Sequence, residues 1–457
     1  MVRSLLTAFA ASLLASAVLA QPIVIDGNTA DWPEGEIVRC EDGWLKVKLD
    51  LGRVLSMHAL PEPISLSFVV DRAGDGFDPT VSVAFSPPPP ADGERRWGPY
   101  AVLATPDGFR DVSVMDLDLH VAPTAASKSY EIRVGVDELL EVTGLTAADS
   151  VSVRLDRFEG APIVLGPIEL CDTAPDTRGA DLPARPANGV RAMAWNVLWS
   201  SPIESPDGFA RIFEATRPDV VLFQEWDRGE LSAEDVAGWM NEHAAWTEGT
   251  WSVSKPDAWG VAVATHYPMV AEGPEQLLAP GTRWDFPVRL ASAVIDLPIG
   301  RTVVGSLHLK CCGSLGTEED DRRLVESLAV RDTMIDLAVL HDAEHVILGG
   351  DFNTSGTLAV LDVSAAGVDL DGSPLTYAEP IVTADEARYT FGRPGMNNVR
   401  TRLDWIAYSD STLNAISAFV IDTARVDAPS LASMGLVSTD SAASDHLPVV
   451  VDLVPTD

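Results

Sequence analysis

Carboxylates, carboxamides and histidines recur in this chain at the points where apolar runs stop. Within residues 346–353 such a run meets Gly349 and Gly350 and is followed by Asp351 and Asn353. An apolar run bounded in this way reads as a buried strand that ends at a reactive edge. Residues two apart in an extended segment point the same way, so both side chains could face one bound phosphate or metal ion. A plain strand-to-turn junction uses the same residue types for backbone reasons, so the stretch gains its meaning from its company. Asn196, Gln224 with Glu225, His308, Asp404, and Asp445 with His446 all fall at the ends of comparable stretches. Oxygen-bearing side chains suit a hard divalent cation, and an acid beside a histidine raises imidazole basicity. Alone, a strand histidine such as His308 is more often a core hydrogen-bonding group.

Alternating element types must carry these groups. Strands are expected over residues 191–199, 219–225, 259–265 and 303–310, and again at 346–353, 402–406 and 444–451. Ser205 followed by Pro206 marks a helix running to Ala215, and Ser232 with Asp235 opens another in capping-box style. A longer helix follows from Thr317. Its acidic Glu318, Glu319 and Asp320 suit the positive end, and Leu324, Val325, Leu328 and Ile335 are expected to face inward.

The first part of the chain is patterned differently. Residues 64–70, 81–85 and 130–136 alternate apolar and polar positions between turn residues, the pattern of an antiparallel β-sandwich. At 457 residues the chain exceeds what one hydrophobic core holds. The expected organisation is two domains: an all-β sandwich at 21–171, a linker at 172–189 and an α/β domain at 190–457. Residues 1–20 place Arg3 ahead of an almost unbroken Leu, Ala, Val, Phe and Ser run, the form of a signal peptide. No later apolar run reaches the ~18 residues of a membrane helix. The expected location is secreted or periplasmic.

A net charge of −36 and a pI near 4.4, spread without long runs, favour solubility and repel extended polyanions. Tight duplex DNA binding draws on Lys and Arg against phosphates and is disfavoured. Four cysteines allow three pairings. Cys40 and Cys171 lie near the two ends of the first domain, where a bridge would staple it. Cys311 and Cys312 are left to pair with each other or stay reduced; the pairing is strained because neighbouring Cα atoms sit ~3.8 Å apart. Asp71, Asp75 and Asp78 crowd one loop that could hold Ca2+ or form a solvated acidic turn. The prolines of 87–90 read as a stiff surface loop.

In chain order, Asn196, Gln224 with Glu225, His308, the GGDFN of 349–353, the RLDWI of 402–406 and the SDHLP of 444–448 resemble the endonuclease/exonuclease/phosphatase superfamily over about 190–453. That resemblance implies a four-layer α/β sandwich, two central β-sheets flanked by helices, with these residues meeting at one edge. It implies Mg2+ or Mn2+ held by Glu225, Asn196 and Asp445. His446, held by Asp404, would be general base or phosphate contact, and Asp351 would position water or assist the leaving group. Asn353 would donate to a phosphate oxygen, and His308 would steady the transition state or protonate the leaving oxygen. Lys310 stands as a phosphate contact or a solvated lysine. Tyr389 and Thr390 resemble a substrate-facing segment, or form an ordinary strand. Nuclease members often carry an acid two residues after the first asparagine, where this chain has Leu198. The IDGNTADW of 25–32 resembles the start of family-9-like carbohydrate-binding modules and related sugar- or haem-binding sandwich domains, which implies a carbohydrate or surface ligand there.

Three readings follow. The first is an exported metal-dependent phosphoesterase acting on a small phosphodiester, a phosphomonoester or a phospholipid headgroup. The second is an extracellular nuclease, and the third a catalytically inactive binding or adhesion protein. A phosphodiester is anionic and resists attack, so its hydrolysis calls for a cation, a base for water and donors for the leaving oxygen, all of which these residues offer. Trp246, Trp251, Trp259 and Trp284 would form an exposed aromatic surface in a lipid-directed enzyme, or core.

Overall fold

The protein is described by a computed structural model covering residues 23–71, 77–86, 98–148, 150–156, 162–171, 178–227, 231–246, 249–256, 260–279, 287–393 and 398–456. The expected signal peptide, Asp75, the prolines of 87–90, Trp259, Trp284 and residues 172–177 of the linker lie outside these.

Alternating burial along strands such as Ile64–Asp71 and Thr80–Phe85 builds two antiparallel sheets in the N-terminal region, of four and six strands. Their apolar faces share one cluster that includes Leu45, Phe68, Val83, Tyr130 and Val153. Cys40 and Cys171 form the expected disulfide, with Cα atoms 5.4 Å apart. The segment resembling a carbohydrate module is fastened to a buried carboxylate. Glu131 accepts from Trp32 Nε1 at 2.6 Å and from the amides of Asp26 and Gly27 at 3.1 and 2.6 Å.

The C-terminal region is α/β, with a seven-stranded and a six-stranded sheet. Strand Val190–Asn196 is buried at every position. Its alternate residues serve two different cores, which is why the sequence reads as a continuous apolar run. Ala192 and Ala194 join a cluster with Ala291, Ala293, Val304 and Ile347 of the other sheet. Met193 and Trp195 pack outward with Phe209, Phe213, Val236 and Trp239 from helices Pro206–Thr216 and Ala233–His243. The other sheet packs Val303, Leu307, Val346 and Leu348 against Val330, Met334 and Leu337 of helix Glu318–Leu340. Trp251 is core and Trp246 packs against it, so neither is an exposed aromatic surface.

Two expectations need correction. Gly349 and Gly350 do not end the strand, which runs His345–Asp351. They are there for closeness: a Cβ on Gly349 would stand 2.8 Å from Leu222 Cδ1 of the facing sheet, and one on Gly350, at φ 133°, would stand 2.1 Å from Leu307 O. The long helix turns only part of the expected face inward: Leu324 and Ile335 pack against the core, but Leu328 does not. Arg323, Glu326, Ser327, Val330, Met334 and Leu337 are buried, whereas Leu328 is 40 % exposed. Its first turns are buried for polar reasons: Arg323 Nη1 donates to the carbonyls of Lys310 and Cys312 at 2.9 and 2.5 Å, and Glu326 Oε2 accepts from Lys310 N at 2.7 Å.

Buried charge joins the two regions. Arg133 makes two bonds to Asp385, at 2.5 and 2.6 Å. Arg400 and Arg425 both hold Asp118, and Arg400 also reaches Asp422 at 3.0 Å.

Candidate active site

Strand register assembles the site. Parallel pairing of Gly300–His308 with His345–Asp351 sets His308 opposite Asp351, and antiparallel pairing with Asp404–Tyr408 sets Asp351 opposite Asp404. Neighbouring strands run ~4.8 Å apart, so three ionisable side chains stand in one row. In the facing sheet Asn196 lies opposite Gln224, and Glu225 follows with a positive φ of 65°. His446 is held over both by the segment before Val449–Pro455: Ser444 Oγ donates to Asn196 O at 2.7 Å, and Trp195 Nε1 donates to His446 O at 3.0 Å.

These side chains converge on one oxygen. Asp351 Oδ2 lies 3.4 Å from Asn196 Nδ2, 3.4 Å from His308 Nε2 and 3.8 Å from His446 Nε2. Asn196 Nδ2 also donates to Glu225 Oε1 at 3.0 Å, and the Trp199 amide donates to Oε2 at 3.2 Å. Asp351 Oδ1 accepts from the Asn353 amide at 2.9 Å, while Asn353 Nδ2 donates to Leu309 O at 3.0 Å.

The two histidines are held by opposite kinds of group on Nδ1. His446 Nδ1 lies 2.8 Å from Asp404 Oδ2, a carboxylate that can only accept, so the proton sits on Nδ1. His308 Nδ1 instead lies 3.1 Å from Arg289 Nη1, which can only donate, so His308 carries its proton on Nε2, toward Asp351. Burial, aided by Arg289, keeps His308 neutral, well below the usual histidine range. For His446 burial acts in the same downward direction, but the Asp404, Asp351 and Asp445 carboxylates outweigh it and lift the ring to about 10. Burial also raises Asp351 above the usual carboxylate range, with His446 opposing. Glu225 is raised by burial too, against the amide of Asn196.

Four acids therefore crowd this corner: Glu225, Asp351, Asp404 and Asp445. Asp404 Oδ1 is buried with no hydrogen-bond partner among the described residues. Asp351, Asp404 and His446 place ligand atoms within 4.8 Å of one another. A donor set of carboxylates and an amide, with surplus negative charge, fits a hard divalent cation.

Not every expected residue reaches the corner. Tyr389 is fully buried, and its hydroxyl donates to Asp422 at 2.8 Å within the contact between the two regions, which takes it away from any substrate. Thr390 instead backs Asp404, donating to Oδ2 at 2.6 Å. Lys310 Nζ turns to the carbonyl and sulfur of Cys311, at 3.2 and 3.3 Å. Gln224 points between the sheets to Ser306 Oγ at 3.0 Å. Of the calcium candidates, Asp71 accepts from Ser150 Oγ at 2.5 Å. Arg289 was not anticipated, since a lone arginine between two strands carries no motif. Neither was Trp199, 61 % exposed in a run of three residues, Leu198, Trp199 and Ser200, at φ 48°, 55° and 61°.

A family model described as the Endonuclease/Exonuclease/phosphatase family matches residues 193–446, more than half of the chain. The chain belongs to that family. Endonuclease/exonuclease/phosphatase proteins are typically metal-dependent hydrolases of ester bonds, and a phosphodiesterase- or nuclease-like function follows for this one. No curated protein matches the chain. Among solved structures, the catalytic domain of human nocturnin with bound sulfate is 19 % identical, with 60 % of this chain and 97 % of that one covered at a TM-score of 0.39. Sphingomyelinase C from Streptomyces griseocarneus is 16 % identical, covering 58 % and 99 % at 0.37. A truncated TDP2 from Caenorhabditis elegans is 13 % identical, covering 58 % and 98 %, also at 0.37.

Proposed function

We propose that this protein is an exported, Mg2+- or Mn2+-dependent phosphoesterase that hydrolyses a small phosphodiester, a phosphomonoester or a phospholipid headgroup by attack of water. The observation that carries the reading is the convergence of Asn196, His308 and His446 on Asp351 Oδ2 in a chain of this family. The form of residues 1–20 supports export. In this reading residues 21–171 are a β-sandwich accessory domain, 172–189 a linker, and 190–457 a four-layer catalytic domain.

Glu225, Asn196 and Asp445 would hold the ion. Their oxygens suit a hard cation better than the imidazole of His446, whose Nδ1 is already committed to Asp404. When bound, the cation offsets charge developing on the phosphoryl oxygens. Asp351, its carboxyl raised by burial toward the working range, takes a proton from the attacking water as the new P–O bond forms. His446, expected as general base or phosphate contact, is instead kept protonated by Asp404 and, in place of the neutral His308, gives its Nε2 proton to the leaving oxygen as the old P–O bond breaks. The 3.8 Å between Asp351 Oδ2 and His446 Nε2 then lets the proton return. Neutral His308 keeps its Nε2 3.4 Å from Asp351 Oδ2, and Asn353 fixes the other oxygen through the backbone.

A nuclease remains the second reading because it needs the same corner; the net charge of −36 works against a long polyanion. Turnover of sphingomyelin, inositol phosphates, a chromogenic phosphodiester, DNA and RNA by the purified mature chain, with and without chelator, separates the two. Metal-dependent cleavage confined to DNA or RNA would replace the first reading with the second.

A further inference from the structure

The loop after His308 carries two neighbouring thiols close to the site. Cys312 Sγ lies 3.0 Å from Cys311 Sγ and donates to it, and Lys310 Nζ lies 3.3 Å from the same sulfur. Neither cysteine belongs to the Cys40–Cys171 disulfide; Cys311 is half-buried and Cys312 exposed. The loop backbone is tied to the residues that set up the reaction. Leu309 O accepts from Asn353 Nδ2 at 3.0 Å and Arg289 Nη2 at 2.6 Å, and Cys312 O accepts from Arg323 Nη1 at 2.5 Å and Ser355 Oγ at 3.1 Å. Cys312 itself sits at φ 69°, a left-handed conformation that a residue with a Cβ rarely adopts.

We propose that Cys311 and Cys312 form a thiol–disulfide exchange site for low-molecular-weight disulfides, and that its closure lowers phosphoester hydrolysis by moving the loop that anchors Asn353 and Arg289. The roles of the two sulfurs follow from their contacts. The Cys312 thiol donating to it, together with the Lys310 ammonium, holds Cys311 below the ordinary thiol range, while the same bond raises Cys312. Cys311 is thus the attacking thiolate and Cys312 the resolving thiol. Cys311 Sγ attacks one sulfur of the small disulfide, forming a mixed disulfide and expelling one thiolate. Cys312 Sγ then loses its proton and attacks Cys311 Sγ, expelling the second thiolate. Two protein thiols and one disulfide become one protein disulfide and two small thiols. Neighbouring Cα atoms stand ~3.8 Å apart, closer than an ordinary disulfide spans, so the closed ring turns the loop backbone and is readily reduced again.

The exchange chemistry stands apart from the phosphoesterase reading; only the effect on turnover rests on it. The full chain is incubated with oxidised glutathione, free thiols are counted after denaturation, and intact mass is measured. The two free thiols should fall to none with loss of two hydrogens, and dithiothreitol should restore both. Cys312→Ser should trap one glutathione on Cys311, and Cys311→Ser should stay unmodified. Hydrolysis of a chromogenic phosphodiester, with metal supplied, should fall about tenfold on closure of the wild type and not change in treated Cys311→Ser. Persistence of both thiols in excess oxidised glutathione would overturn the site, and closure with unchanged turnover would overturn the coupling. Closure without hydrolysis in either state would support the site while removing the phosphoesterase reading, and the coupling with it.

Discussion

His446 Nδ1 lies 2.8 Å from Asp404 Oδ2, and both side chains are buried. That carboxylate orients the ring and keeps it charged, so an acid role for His446 depends on Asp404. Asp404→Asn should keep the fold and lower turnover by about 100-fold or more. His446 is raised to about 10 and acts as an acid only while protonated, so wild-type activity is present at neutral pH and lost as pH rises through the alkaline range. Without the carboxylate the ring loses its proton earlier, and the alkaline limb of the rate profile should move to lower pH. An unmoved limb would contradict the assignment.

Arg289 touches His308 Nδ1 and Leu309 O, at 3.1 and 2.6 Å. Burial and then its charge keep His308 neutral, and its N–H donated to Nδ1 leaves the proton on Nε2. Arg289→Met should cost about 10- to 100-fold in kcat and leave KM within a few-fold, because the guanidinium acts through His308. Steady-state kinetics on any accepted substrate check this, with retained melting temperature as the folding control.

Trp199 is exposed beside Glu225, whose Oε2 its backbone amide holds at 3.2 Å. A large indole left in water next to a reactive corner suits contact with the organic part of a substrate. Trp199→Ala should therefore raise KM about tenfold with little change in kcat. A fall in kcat alone would mean that the loop supports Glu225 and that the ring is incidental.

How legible was this in the sequence? The residues of the corner were, because each ends an apolar run and register does the rest: His308, Asp351 and Asp404 become neighbours once three strands pair. The glycines of 349–350 were legible as special but not for the right reason, since close approach between two sheets has no local signature. The inward face of Glu318–Leu340 is only half legible: Leu324 and Ile335 pack on the core, but Arg323 and Glu326 are also buried, to hold loop backbone, and period-based reading assigns charged residues to solvent. Tyr389 belongs to an interface that forms only when two distant parts of the chain meet.

That interface gives a stability prediction. Burial alone would raise Asp385, but Arg133 and then Arg425 outweigh it and hold it at about 2. A carboxyl depressed in the folded state stabilises fully above its unfolded value, ~4. The contribution is lost as pH falls from there toward 2. Asp385→Ala leaves the Arg133 charge buried and unpaired, and should destabilise by about 3–5 kcal/mol at neutral pH. Denaturant titrations across the acid range should show the gap between variant and wild type closing below pH ~4. A gap that stays constant would place the cost in packing.

The most direct test of the account is hydrolysis of a chromogenic phosphodiester by the mature chain beside His446→Ala, each with Mg2+ or Mn2+ and with chelator. The account predicts metal-dependent turnover in the wild type and a loss of about 100- to 10,000-fold in the variant. Turnover that survives in His446→Ala, or folded wild-type protein that cleaves no phosphate ester with either ion, would contradict it.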